Sequence, residues 1–113
     1  QALLVARGRD GPQALGTRDA LRLGTRGGAA VLGRDDIGSL EPRKSADFAV
    51  WRTDTLEFGG ADDLVAGLVL SGPHAVDRLY VGGEPVILGG ELVRVNERQV
   101  IHDQRREAQR FLR

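Results

Sequence analysis

An α+β architecture is the prediction for this chain, and three observations make it. Apolar residues recur at helical spacing through the first third of the sequence. Short apolar runs separated by Gly-Gly pairs follow between residues 75 and 95. An amphipathic stretch opening at Asn96 closes the chain. The resulting order of helix, helix, several strands and helix is unusual for a domain that closes a core by itself.

Gln1 to Arg9 reads as helix, with Leu3, Leu4 and Val5 as a short apolar stripe and Asp10-Gly11-Pro12 ending it. A second helix is predicted from Thr17 as N-cap, with Asp19 facing the positive end of the dipole. Its apolar residues are Ala20, Leu21, Leu23, Ala29, Ala30, Val31 and Leu32, and Gly33 ends it. Gly24, Gly27 and Gly28 lie inside that helix. Each costs about 1 kcal/mol relative to Ala, so close packing against another element is the expected compensation.

After Gly33 the period changes. Ile37 to Leu40 and Ala46 to Trp51 are predicted as short strands joined by a turn at Pro42 to Ser45. Thr53 to Gly60 reads as loop, and Asp62 to Leu70 as a short helix running into a strand. Val76, Leu79, Tyr80 and Val81, then Gly82-Gly83, then Pro85 to Leu88 spell a hairpin; Gly89-Gly90 leads into a further strand at Leu92 to Val95. Asn96 with Gln99 resembles a capping box for the last helix, whose apolar residues are Val100, Ile101, Ala108, Phe111 and Leu112.

Composition excludes several classes. Apolar content of 41% and charged content of 28% are globular rather than disordered values. Cations and anions cancel at 16 each, so no net field steers the chain toward nucleic acid or an anionic membrane. Lys44 is the sole lysine, and the arginine bias reads as the codon usage of a GC-rich genome, not as a binding surface. Without cysteine there are no disulfides, thiolate metal sites or cysteine nucleophiles. No apolar run is long enough to span a bilayer. The chain opens on Gln1 and contains no Met, so a portion or processed product of a longer polypeptide is expected.

The chemistry-bearing residues do not assemble into a motif. His74 and His102 are the only imidazoles, in a Gly-Pro loop and on the last helix, whereas a catalytic zinc takes about three protein ligands. Gly24-Thr25-Arg26-Gly27-Gly28 lacks the strand-then-helix context of a phosphate cradle. Asp35-Asp36 and Asp62-Asp63 are adjacent pairs, which on a strand point to opposite faces and in loops serve turns and caps. Ser39, Ser45 and Ser71 have neither a nucleophile elbow nor a histidine partner. The five aromatics, Phe48, Trp51, Phe58, Tyr80 and Phe111, are scattered without a basic stacking platform.

One stretch carries a family resemblance. Thr25, Gly28, Ala29, Leu32 and Gly33 are followed by Asp36-Ile37-Gly38-Ser39-Leu40-Glu41 and Lys44-Ser45-Ala46-Asp47-Phe48. This resembles the end of the amidohydrolase-superfamily barrel, where Thr-x-x-Gly-Ala-x-x-Leu-Gly on the last helix precedes Ile-Gly-Ser-Leu-Glu-x-Gly-Lys-x-Ala-Asp. Val76 to Val86 is similar to the Gly-turn hairpin of the same family, and Ser71-Gly72-Pro73-His74 leans toward its 8-oxoguanine deaminase, triazine hydrolase and cytosine deaminase-like branch. Two residues depart from the pattern. Arg43 stands where the family has Gly, implying strain or a different turn, and Gly89 replaces the usual Asp.

The resemblance implies an α+β piece of a larger enzyme. Residues 1–33 would be the closing helices of a (β/α)8 TIM barrel, 34–95 the strands of a composite β-sandwich, and 96–113 a C-terminal helix. It implies a parent aminohydrolase that uses zinc or iron to hydrolyse a C–N bond in a purine, pyrimidine or triazine-like heterocycle. The family's His-x-His pair, its two further histidines and its barrel Asp match no position here, so no catalytic, cofactor-binding or metal-ligating residue is assigned and the segment is expected to bind no metal. The expected partners are the N-terminal remainder of the same enzyme and, in the parent, a small heterocyclic substrate. Neither nucleic acid nor a membrane is expected, homo-oligomeric assembly stays open, and a cytoplasmic location is expected. Two other readings stand beside this one: a stand-alone structural or interaction module, and a small-ligand binding module.

Overall fold

A computed structural model describes residues 1–112 of the chain. Helix α1 spans Ala2–Asp10 and ends at Gly11, whose φ of 94° no side chain favours. Helix α2, Thr17–Arg22, begins one residue earlier than predicted: Gly16 is the N-cap and Thr17 the first helical residue. The helical path continues through a π turn at Leu23–Gly27 into α3, Gly28–Val31. Among the described residues no other element packs on the helical glycines. A Cβ at Gly24 or Gly28 would meet nothing within 4 Å, and one at Gly27 would meet only Arg22 and Leu23 of the same helix. The ladder widens instead. Two glycines weaken it, and Thr25 Oγ1 donates back to the Leu21 carbonyl at 2.9 Å.

The close approach occurs one segment later. Gly38 has a φ of 85°, and a Cβ there would sit 2.8 Å from the Ala29 Cβ and 3.1 Å from the Thr25 carbonyl. Residues 37–40 therefore wrap over the helix and do not form the predicted strand. Glu41-Pro42-Arg43-Lys44 then turns the chain, with the Lys44 amide donating to the Glu41 carbonyl at 3.2 Å. Pro42 fixes a negative φ at the second position and Arg43 takes a φ of 70° at the third, which is the type II pattern that favours Gly. The turn is kept and Arg43 carries its strain.

Strands β1 (Phe48–Val50), β2 (Arg78–Val81), β3 (Glu84–Leu88) and β4 (Glu91–Leu92) form one antiparallel sheet in that order. Gly82-Gly83 and Gly89-Gly90 are two-residue loops with positive φ throughout, the type I′ geometry that matches the strand twist. The β2–β3 register shifts between Leu79 and Tyr80, which face Ile87 and Pro85. Pro85, without an N–H, sits at that irregularity, where a ladder tolerates it. Phe48 and Tyr80, directly paired across β1 and β2, stack with ring centroids 4.7 Å apart. The strand predicted at Leu92 to Val95 shrinks to Glu91–Leu92, because the Val93 amide makes the last bond to Val86 (3.0 Å) and the chain then turns away.

Between β1 and β2 the predicted loop contains a 3-10 turn, Leu56–Phe58. Helix α4, Leu64–Leu70, follows, and it does not run into a strand because Ser71 caps it and Gly72 takes a φ of 102°. The Asp63 carboxylate accepts from the Val65 and Ala66 amides at 2.9 and 3.3 Å, a cap that satisfies two orphan donors. Helix α5, Glu97–Phe111, is capped as predicted at Asn96, which accepts from the Gln99 amide at 3.1 Å. The box is half made, since the Gln99 side chain reaches forward to Asp103 and not back to Asn96. Among the described residues no helix is long and apolar enough to cross a membrane.

Helices α1, α2 and α4 pack together, while no helix packs broadly on the sheet. The link between them is the connection from α3 to β1. The Ser45 amide donates to the Asp36 carbonyl (2.7 Å), the Ser45 hydroxyl to Asp47 Oδ1 (2.8 Å), and the Gly82 amide to the same Asp47 oxygen (2.6 Å). Only Leu3, Ala29 and Phe58 are buried apolar residues among those described, while Leu56, Val31 and Phe111 are almost fully exposed. The accessible surface is 9175 Å², against roughly 6,000 Å² for a compact monomer of this mass. The radius of gyration is 17.9 Å, against about 13 Å expected.

Two outcomes follow from these turns. Arg43→Gly should raise the exchange protection of the Lys44 amide about fivefold, by removing a left-handed penalty of roughly 1 kcal/mol; hydrogen–deuterium exchange measures it. The Gly82 amide, and secondarily the Ser45 hydroxyl, hold the Asp47 carboxyl below its ordinary range. A carboxyl lowered in the folded state stabilises above its unfolded pKa, and that contribution fades as pH falls through the lowered value. Protection of the Gly82 amide should therefore hold down to about pH 4 and fall in more acid solution, whereas Asp47→Ala should remove it across the whole range.

Candidate functional site

The two histidines are placed on different elements and held by different neighbours. His74, in the loop entering β2, stacks on Phe58 with centroids 4.5 Å apart, and its Nε2 lies 3.3 Å from the Gly67 carbonyl. The ring thus braces the 3-10 turn against α4. His102 is on the exposed side of α5, with Nδ1 3.5 Å from the Asp103 carboxylate. Among the described residues no three His, Asp or Glu side chains converge as a metal would require.

The paired aspartates divide into separate structural duties. Asp36 holds Arg34 through two bonds, at 2.9 and 2.5 Å, and Asp63 combines its capping role with a fork to Arg18 at 2.5 and 3.3 Å. That fork, ahead of the helix amides, keeps the Asp63 carboxyl below its ordinary range and fastens α2 to α4. Neither pair brings two carboxylates together on one reacting atom. The Gly24 to Gly28 stretch forms the π turn, with no strand before it to make a phosphate cradle.

One juxtaposition was not legible beforehand. A hollow of about 590 Å³ lies beside the end of α3, and on its wall Lys44 Nζ donates to Ser39 Oγ at 2.7 Å. A serine and an amine at this distance have the form of a nucleophile and its base. The Glu41 carboxylate lies 3.8 Å from the same Nζ, so the amine is engaged in an ion pair as well as in the bond to Ser39. The Ser39 hydroxyl and then Lys44 hold Glu41 below its ordinary range, and Arg26 approaches it at 3.4 Å. The cluster ties a turn to a helix. Asp47 is the other residue whose role went unforeseen; its position just before β1 was visible, but its partner Gly82 is 35 residues away.

Comparison with known proteins identifies the family. The profile of the amidohydrolase family matches residues 4–87. The 8-oxoguanine deaminase of Pseudomonas aeruginosa is 41% identical over 90 residues, covering 80% of this chain and 20% of that protein. A 5-methylthioadenosine/S-adenosylhomocysteine deaminase of Desulforudis audaxviator is 36% identical over 113 residues, covering 98% of this chain and 26% of its own length. Among solved structures, an adenosine deaminase from Xanthomonas campestris with bound zinc superposes with a TM-score of 0.87 at 28% identity, covering 96% of this chain and 26% of that one. Atrazine chlorohydrolase from Arthrobacter aurescens, complexed with zinc, superposes at 0.77 with 30% identity, over 88% and 22%. The chain thus spans between a fifth and about a quarter of the length of the relatives it matches. With most of its length inside the family profile and its helix-to-sheet connection built from the motif residues, the chain belongs to the amidohydrolase family.

Proposed function

We propose that this chain is the C-terminal scaffold of a metal-dependent aminohydrolase whose reacting groups lie on the rest of the polypeptide. In this reading residues 1–33 close a (β/α)8 barrel, 34–95 supply strands to a composite β-sandwich, and 96–113 form a terminal helix. The observation that carries it is the accessible surface, in total about half as large again as a compact monomer would expose and with many large apolar side chains on it. Leu21, Leu23, Val31 and Leu32 on the helices, and Val50 and Val81 on the sheet, are placed to meet further elements of one fold. The open faces of Gly24 and Gly28 fit the same reading, since a neighbouring element could approach that helix closely.

The parent reaction, by analogy with the deaminases and hydrolases it resembles, is hydrolysis of a C–N bond in a heterocyclic amine. Zinc or iron, held by the remainder of the enzyme, would supply the Lewis acid and a water nucleophile usable near neutral pH. This chain's own residues bind neither the metal nor the reacting carbon. Its contribution is to hold the barrel's last helix against the sheet through Gly38, Ser45 and Asp47. The compartment proposed is the cytoplasm.

Two experiments separate this from a self-sufficient module. Expressed alone, the 113 residues should self-associate or unfold without a cooperative transition, as read by analytical ultracentrifugation and calorimetry; a monodisperse monomer with one sharp transition would refute the scaffold reading. Mixed with zinc or iron(II), the same chain should retain no stoichiometric metal by elemental analysis and release no ammonia from 8-oxoguanine, 5-methylthioadenosine or isoxanthopterin. The complete polypeptide should retain metal and release ammonia from at least one heterocyclic amine. Stoichiometric metal on the short chain would overturn the assignment of ligands to the remainder.

A further inference from the structure

We draw no further inference here: the strongest candidate, the apolar stripe of Val100, Ile101, Ala108, Phe111 and Leu112 along helix α5, is a bare surface, and nothing in the structure shows what covers it.

Discussion

A single carboxylate oxygen, Oδ1 of Asp47, accepts from both the Ser45 hydroxyl and the Gly82 amide. Because no helix packs broadly on the sheet, this oxygen and the neighbouring Gly83-to-Ala46 bond of 3.1 Å fix how the connection from α3 meets the β2–β3 turn. At the helical end, the same connection is seated by the contact of Gly38 with Ala29. Backbone donors aimed at an ionised acceptor make stronger bonds than neutral pairs. Two small contacts therefore do the joining that a hydrophobic core performs in a self-contained domain.

Much of the fold was legible because local chemistry decides it. Asp10-Gly11 ends a helix, Gly82-Gly83 and Gly89-Gly90 make type I′ loops, and Asn96 caps α5, each through interactions within a few residues. The errors lie where distant contacts outweigh pattern. Ile37 to Leu40 has strand-like composition, but Gly38 is pinned on the helix and the segment never meets a strand partner. Leu64–Leu70 reads apolar enough to continue as a strand, yet the Asp63 cap and Gly72 define a short helix. The helical glycines misled for another reason: spacing says that a surface is bare, not which chain covers it.

Several of the polar residues singled out in the sequence have structural partners. Asp63 caps and clasps, Asp36 holds Arg34, and His74 braces a turn. The Ser39–Lys44 pair could not be read from sequence, since it depends on a type II turn that puts a strained Arg43 between them. Glu41 joins the same cluster, 3.8 Å from Lys44 Nζ. Gly38, Ser39, Lys44 and Asp47, which make this tight connection, all lie within the segment that the family profile matches.

The π turn at Leu23–Gly27 has a geometric consequence for the surface that α2 and α3 present. One residue added to a turn of 3.6 rotates everything beyond it by about 100° relative to an unbroken helix. Leu21 before the turn, and Val31 and Leu32 beyond it, consequently do not keep the relative azimuth that an unbroken helix would give them. Excising Gly24 would restore the unbroken phase and turn Val31 and Leu32 by that same angle relative to Leu21.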